Sequence, residues 1–414
     1  MMVAANDFRR QWNEVREDAL SAVERVGSSG WYILGQEVAK FETELATLWG
    51  VEQAVGVASG TDAIELALRA VGCGPGERVL TTPLSAFATT LAILKVGAIP
   101  VFADTDERGL IDLDRCREVL TQRPEIRFFV PVHLYGHVVD LNRLGMLRDE
   151  FGLQIVEDCA QAAGAQMHGA FTGGAGQIAA TSFYPTKNLG AMGDGGAVLT
   201  NDAALAEHVR VLRSYGETAR YRHEEIGLNS RLDEVQAAVL RDVALPRLKR
   251  WVQRRRQIAE AYLDGIRNPA VKVPGAPADS RSGWHLFPVH VDPDRRQAFL
   301  EYLKGQKVAA GVHYPVAVPD QPAMRRTEFE MADDCATARR ICASEVSLPI
   351  HPYLTDEEVR RVIEVVNGWR TEVRIADRGV LSAAQSAGAR DEARQAKACV
   401  LMSLLRFLKE PVDA

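Results

Sequence analysis

The chain has 414 residues, 47% hydrophobic and 25% charged, with a formal net charge of −6. That length predicts two or three domains at roughly 100–200 residues each, and the weak acidity argues against nucleic-acid binding, which calls for a basic face. No stretch reaches the roughly 20 apolar residues of a membrane helix, and the start MMVAANDFRRQW has no apolar run behind a basic segment, so neither a membrane span nor a signal peptide is expected.

The six cysteines, Cys73, Cys116, Cys159, Cys335, Cys342 and Cys399, are scattered and form no CxxC pair. Reduced thiols in a cytoplasmic protein fit this better than a zinc site or a disulfide framework. Residues 8–26 read as a helix, with Phe8, Trp12, Val15, Leu20 and Val23 near helical spacing. A second helix, EVAKFETELATLWG, is stopped by Gly50. Short apolar runs then appear at 79–82, 100–104, 128–133, 153–157, 179–184 and 197–200, with helical segments at 61–71, 86–96, 112–121 and 203–214 between many of them. Alternating strand and helix predicts an α/β domain around a largely parallel sheet, in which ligands bind at the carboxyl ends of the strands. Residues 231–264 read as a charged amphipathic helix pair interrupted at Pro246, and the run Arg254, Arg255, Arg256 reads as a solvated helix face. The stretch 268–283 is rich in Pro, Gly and Ser and marks the junction to a second domain, with strands at 284–291 and 308–314 and a helix at 355–369. The expected organisation is a large domain over 1–265, a smaller α+β domain over 266–370 and an extension over 371–414, helical from 381 to 409.

Four places stand out chemically. In SFYPTKNLGAMGDGG (182–196), Lys187 follows an apolar run inside a Gly-rich loop. Partial desolvation there would favour the neutral, nucleophilic amine that Schiff-base chemistry requires, although a lone lysine is more often a surface residue. Glu157 and Asp158 end another run; an aspartate there can pair with a pyridine nitrogen, or simply cap the next helix. Ser59, Gly60, Thr61 and Asp62 open a helix, which makes either a phosphate seat or an ordinary N-cap. Phe87 can stack on a planar ring or pack in the core. Phosphate seat, aromatic, aspartate and lysine occur in that order, a conjunction more telling than any member alone.

With these in view, SGWYILGQEVAKFETELA, SGTDA, VPVHLYGH (130–137), EDCAQAAGA, SFYPTKNLGAMGDGG, GLNSRLDEVQAAVL (227–240), HLFPVHV and SLPIHPYLTDEE resemble motifs of the DegT/DnrJ/EryC1/StrS aminotransferases, which aminate keto sugars attached to nucleotides. The resemblance runs from about residue 25 to 370. It implies a fold type I pyridoxal-phosphate (PLP) enzyme that works as a homodimer with shared active sites. By motif position, Lys187 would carry the cofactor as a Schiff base and shuttle the proton. Asp158 would pair with the pyridine nitrogen, Gln161 would meet the 3-hydroxyl, and Phe87 would stack on the ring. Gly60, Thr61 and Ser182 would hold the phosphate, joined by Asn229 from the neighbouring subunit. Tyr184, His313 and Tyr314 would contact the sugar, and glutamate would be the amino donor.

Within that family, Tyr184 and the GDGG ending resemble the branch that aminates C3 of a 3-keto sugar nucleotide. The 4-keto branch more often has histidine at the tyrosine position and GEGG. The loop GVHYPVAVPDQPAM (311–324) departs from the family, which often has histidine where Pro319 stands and an aromatic where Met324 stands. Amination of a 4-keto sugar nucleotide or a cyclitol ketone, and a non-catalytic sensor or regulator on the same fold, are the alternatives. Relatives that dehydrate deoxysugars replace the lysine with histidine, so Lys187 argues against that chemistry.

Overall fold

A computed structural model of the chain describes residues 2–370; the extension 371–414, with its expected helix, and Cys399 lie outside them. The helices are α1 (Phe8–Ser29), α2 (Gln36–Trp49), α3 (Gly60–Ala70), α4 (Phe87–Lys95), α5 (Leu113–Gln122), α6 (Leu141–Phe151), α7 (Ala203–Leu212), α8 (Glu234–Val239), α9 (Leu245–Gly265), α10 (Arg296–Gly305), α11 (Ala336–Ser344) and α12 (Asp356–Gly368). The strands used below are β1 (Gln53–Val57), β2 (Arg78–Thr81), β3 (Ile99–Phe102), β4 (Phe128–Val130), β5 (Gln154–Asp158), β6 (Ile178–Ser182), β7 (Gly196–Thr200), β8 (Phe287–His290), β9 (Glu330–Met331) and β10 (Glu345–Leu348). Among the described residues, eight of these strands make one sheet in the order β1-β7-β6-β5-β4-β2-β3-β9. Within it β7 alone runs antiparallel to its neighbours, so the predicted parallel α/β sheet is what forms.

Side chains alternate across a strand, and that alternation sorts the core into layers. Val55, Val79, Phe128, Val130, Val156, Ile178 and Val198 enter one cluster with residues of α3, α4 and α7. Their strand neighbours face the other way. Ala54, Ala179, Ala197 and Leu199 pack with α1, α2, α8 and α9, and Leu80, Phe129 and Ile155 pack with α5, α6 and α11. Burial on both faces explains why these strands read as continuous apolar runs rather than alternating ones. A further cluster, centred on Phe287, Phe299, Val346 and Val362, gathers the antiparallel pair β8·β10 with α9, α10 and α12. By its contacts the chain through Trp369 is one compact unit.

Several local expectations give way. β1 and α6 were not among the predicted elements: Gly56 dilutes the apolar character of β1, and α6 buries only Leu144 and Leu147. In α1 the buried residues are Val15, Ala19, Ala22 and Val26, whereas Phe8, Trp12, Leu20 and Val23 are exposed. Pro246 does not break a helix. The turn Leu240–Ala244 widens to π-helical geometry ahead of it, and α9 continues from there. Proline has no N–H to offer, so a carbonyl one turn back goes unpaired; Arg247 donates to the Asp242 and Val243 carbonyls at 3.4 and 3.1 Å. Arg255 is not on a solvated face. It is buried and donates from Nη1 to the carbonyl oxygens of Trp284, His285 and Ile350. The strand expected over 308–314 is reduced to single bridges, Val308 to Val3 and Gly311 to Ser347, beside a cis His313–Tyr314 peptide.

Candidate active site

The two carboxylates that end β5 are separated by strand alternation. Glu157 is fully buried and accepts hydrogen bonds from the backbone N–H groups of Gly173, Ala175 and Gly176 at 2.9, 2.8 and 2.7 Å. The His133 ring lies 3.0 Å away through Nε2, with its Nδ1 accepting from the Val139 N–H, so one neutral tautomer serves both bonds. Burial works against the Glu157 charge, but His133 and the loop N–H groups outweigh it and lower the pKa. Glu157 therefore stitches the 173–176 loop to the sheet. Replacing it with alanine strands the buried donors of Gly173 and Ala175 and the part-buried one of Gly176, and at roughly 1–3 kcal/mol for each of the two buried groups the Glu157→Ala protein should lose at least about 2–6 kcal/mol, seen as a lower urea midpoint.

Asp158 points to the opposite face. Its Oδ2 accepts from the Thr89 hydroxyl at 2.7 Å and its Oδ1 from the Ala160 N–H at 3.0 Å, and Thr89 is tied in turn to Ser85 at 3.0 Å. Thr89 lies on α4, whose first residue is the part-buried Phe87, so one helix carries the aromatic and orients the aspartate.

Lys187 sits in the turn after β6. The turn closes through Lys187 N–H to the Tyr184 carbonyl at 2.8 Å, and Ala191 N–H returns to Phe183 at 2.8 Å. Asn188 pins the loop from the side, donating to the carbonyls of Gly283 and Ala163 at 2.7 and 3.3 Å. Burial pulls the Lys187 amine down to about 8, with the Asp158 charge opposing the shift. A group whose neutral form is half populated near pH 8 is suited to nucleophilic and proton-transfer work.

The candidate phosphate seat lies where α3 meets β6. Ser59 caps α3 by accepting from the Asp62 N–H at 3.1 Å. A Cβ on Gly60 would fall 2.6 Å from the Ser182 Cβ, and one on Gly196 would fall 2.5 Å from the Ser59 carbonyl. Glycine at both positions lets the helix start, with its free N–H groups, approach the serine hydroxyl closely. Asn229 is exposed next to Ser230, whose hydroxyl accepts from the Ala58 N–H at 3.1 Å and donates to Asp62 at 2.8 Å.

The remaining predicted residues line the approach. Gln161 Oε1 accepts the Tyr135 N–H at 2.7 Å, which leaves its Nε2 to donate to the Tyr314 hydroxyl at 3.2 Å. Burial, followed by the Asp158 charge, raises the Tyr314 hydroxyl to about 12, so it stays protonated. His313 shares a cavity of about 290 Å³ with Thr186, His285, Ser347 and the Ala5–Asn6 backbone. Burial and the nearby Lys187 both lower its pKa. Tyr184 is exposed at the rim. Met324, where the family often has an aromatic, is buried in the α5–α6–α11 layer, and Pro319, five positions earlier, is buried too.

Some residues of the site carried no signal by themselves. Thr89 lies two positions beyond Phe87 in an ordinary helical run. His285 is buried beside Lys187, its Nδ1 without a hydrogen-bond partner among the described residues, and its pKa is lowered by burial and then by Lys187. Tyr135 adopts a positive φ of 62° in the VPVHLYGH motif and donates its hydroxyl to the His313 carbonyl at 2.7 Å.

Comparison with known proteins converges on one group. The model of the DegT/DnrJ/EryC1/StrS aminotransferase family matches residues 13–367. The chain is 41% identical over 369 residues to the dTDP-3-amino-3,4,6-trideoxy-alpha-D-glucose transaminase of Streptomyces venezuelae, covering 89% of this chain and 96% of that protein. It superposes on the crystal structure of S. venezuelae DesV in complex with a ketimine intermediate, with a TM-score of 0.85, 41% identity, and coverage of 90% of this chain and 100% of the other. NtdA of Bacillus subtilis, solved with bound cofactor PMP, aligns with a TM-score of 0.77 at 27% identity over 86% of this chain and 81% of its own. With the family model spanning nearly all of its described length, the chain belongs to the DegT/DnrJ/EryC1/StrS aminotransferase family.

Proposed function

We propose that this protein uses pyridoxal phosphate to move an amino group from glutamate to C3 of a 3-keto sugar nucleotide. The observation that carries the reading is the half-buried Lys187, its amine lowered to about 8, facing Asp158 beside a glycine-lined helix start. These residues fit the cofactor: the Gly60–Ser182 cradle suits a phosphate, Asp158 a protonated ring nitrogen, and Lys187 an aldehyde. When bound, the cofactor supplies a carbonyl to carry the nitrogen and a ring to accept an electron pair.

The chain's own groups divide the remaining work. Gly60 and Thr61 present backbone N–H groups at the positive end of α3, and Ser182 adds a hydroxyl. Asp158, held by Thr89 and Ala160, offers a fixed negative charge. Gln161 is oriented by Tyr135 so that its amide N–H groups serve the ring hydroxyl and Tyr314. Phe87 provides an apolar face. Lys187 in its neutral form accepts a proton and later returns it. Tyr184, His313 and Tyr314 hold the sugar.

The reading includes a homodimer. Phe8, Trp12, Leu20 and Val23 leave an apolar face of α1 exposed, and Trp31, Tyr32, Ile33 and Leu34 follow, also exposed. An apolar surface of that extent is usually covered by a partner, and Asn229 of the second copy would complete the phosphate seat.

The test supplies the purified protein with PLP, glutamate and a panel of 3-keto and 4-keto nucleotide sugars and a cyclitol ketone, and follows amine formation by mass spectrometry. Amination of a 3-keto sugar supports the reading. Product only from a 4-keto sugar or a cyclitol ketone replaces the substrate, and bound PLP without any amine transfer revives the sensor. Gly60→Ala should weaken PLP binding by at least about tenfold, since a Cβ there must push Ser182 and distort the donors (roughly 1.4 kcal/mol for one disturbed charge-assisted bond); a titration of cofactor absorbance reads this directly.

A further inference from the structure

His313 is held more tightly than a substrate contact alone requires. Its backbone N–H donates to Glu345 Oε2 at 2.7 Å, and its carbonyl accepts from the Tyr135 hydroxyl at 2.7 Å. Its ring Nδ1 lies 2.9 Å from the Ser347 hydroxyl, which itself bonds to Glu345 Oε1. Gly311, paired with Ser347 through reciprocal backbone bonds of 3.1 and 2.8 Å, could not carry a side chain, because a Cβ there would sit 2.9 Å from the His313 ring. Glu345, the first residue of β10, is fully buried, and its one carboxylate fixes both the backbone and, through Ser347, the ring of the same histidine.

We propose that Glu345 in its ionised form and Ser347 are positioning residues that hold the His313 ring with Nδ1 protonated, so that Nε2 faces the cavity as a hydrogen-bond acceptor for a donor group of the substrate. The argument is one of satisfiability. A carboxylate only accepts, so the Ser347 hydroxyl must spend its single proton on Glu345. Ser347 can then only accept from the histidine, which places the imidazole proton on Nδ1. Nε2 is the nitrogen left for the cavity that His313 shares with His285 and Thr186, and the Lys187 charge reaches the same ring, adding to burial in lowering its pKa. Burial lifts Glu345 to about 8, countered by Ser347, the His313 N–H and Arg296; Cys342, Tyr135 and Tyr314 are the other titratable groups influenced by it. At pH 9 the carboxylate form prevails and the direction of the relay is defined.

Substituting glutamine for Glu345 reverses that direction without changing its shape. The amide oxygen must accept the His313 N–H, so the amide NH₂ faces Ser347. Ser347 then accepts from the amide, donates to Nδ1, and moves the imidazole proton to Nε2. The experiment records ¹⁵N shifts of histidine-labelled holoenzyme at pH 9, with the His313 signals assigned by their loss in His313→Gln. The expected native spectrum has a pyrrole-type Nδ1 and a pyridine-type Nε2. Glu345→Gln exchanges the two, and Ser347→Ala removes the preference. A protonated Nε2 in the native protein, or an unchanged tautomer in both variants, overturns the proposal.

A kinetic arm rests on the proposed function and is kept separate from the spectra. Ser347→Ala and Glu345→Gln should raise KM for the keto sugar by about tenfold, the value of one hydrogen bond. The glutamate half-reaction, followed by cofactor absorbance, should stay within about twofold. A parallel loss in both half-reactions marks general structural damage and overturns the positioning role. If no keto sugar is turned over by the native protein, the functional reading fails while the tautomer spectra still decide this proposal.

Discussion

Lys187→Ala should lower the rate of amino transfer by about 10⁴-fold, the upper range for removing a general acid–base group, and further where the amine also serves as a nucleophile. Protein stability should change little, because the turn is held by its backbone and by Asn188 rather than by the lysine amine. Lys187→Arg separates charge from proton transfer. A guanidinium preserves the cation beside Asp158 but does not deprotonate in this range, so it should be as inactive as alanine. The native pH profile carries the same information. With the free amine drawn down to about 8 by burial, the neutral form grows as pH rises through 8, and any step that needs it accelerates over that interval. Rates of the three proteins measured from pH 6 to 10 check both points. Substantial turnover by Lys187→Arg would remove Lys187 from the chemistry.

Asp158→Asn should cost about 10³-fold in rate, comparable to losing a preorganised electrostatic partner at a reacting centre. Asparagine keeps the shape and can still accept from Thr89, so the loss measures the charge and not the packing. The same substitution has a second consequence. Asp158 is the group that opposes the lowering of the Lys187 pKa, so its neutralisation should bring that pKa further below 8. In the cofactor-free protein, the pH dependence of Lys187 labelling by a small amine-reactive reagent would register the shift. Thr89→Val leaves the charge and removes one hydrogen bond, and should cost only about tenfold. A ranking in which Thr89→Val and Asp158→Asn are equally impaired would mean that orientation of the carboxylate, not its charge, is what the site requires.

Much of the architecture was legible in the sequence because buried parallel strands write a strong local signal. The runs behind β2 to β7 are mostly apolar, and their side chains enter core clusters shared with helices. β1 escaped notice because Gln53 and Gly56 interrupt its apolar pattern; Gly56 is there because a Cβ would lie 3.0 Å from Leu232, a constraint set by a residue far along the chain. In α1 only Val15 of the residues that marked the helix is buried. Small residues, Ala19 and Ala22, take the interior, where neighbouring helices approach closely, and the large ones remain on the surface.

The sequence by itself determined the chemical inventory: a lysine in a glycine-rich turn, an aspartate at a strand end, a capped glycine-containing helix start, and motifs long enough to mark the family. These are local patterns, set by backbone geometry within a few residues, and a linear reading can see them. The family motif already singled out Asp158, but only the tertiary structure showed how two adjacent carboxylates part company, since strand alternation sends Glu157 to the 173–176 loop and Asp158 to Thr89. It also decided that the Lys187 amine is drawn down by burial, and that Glu345 and Ser347, more than thirty positions beyond His313 and given no role by the sequence, bond to that histidine. Hydrogen-bond partners and desolvation arise where distant segments meet, and no spacing along the chain encodes that meeting.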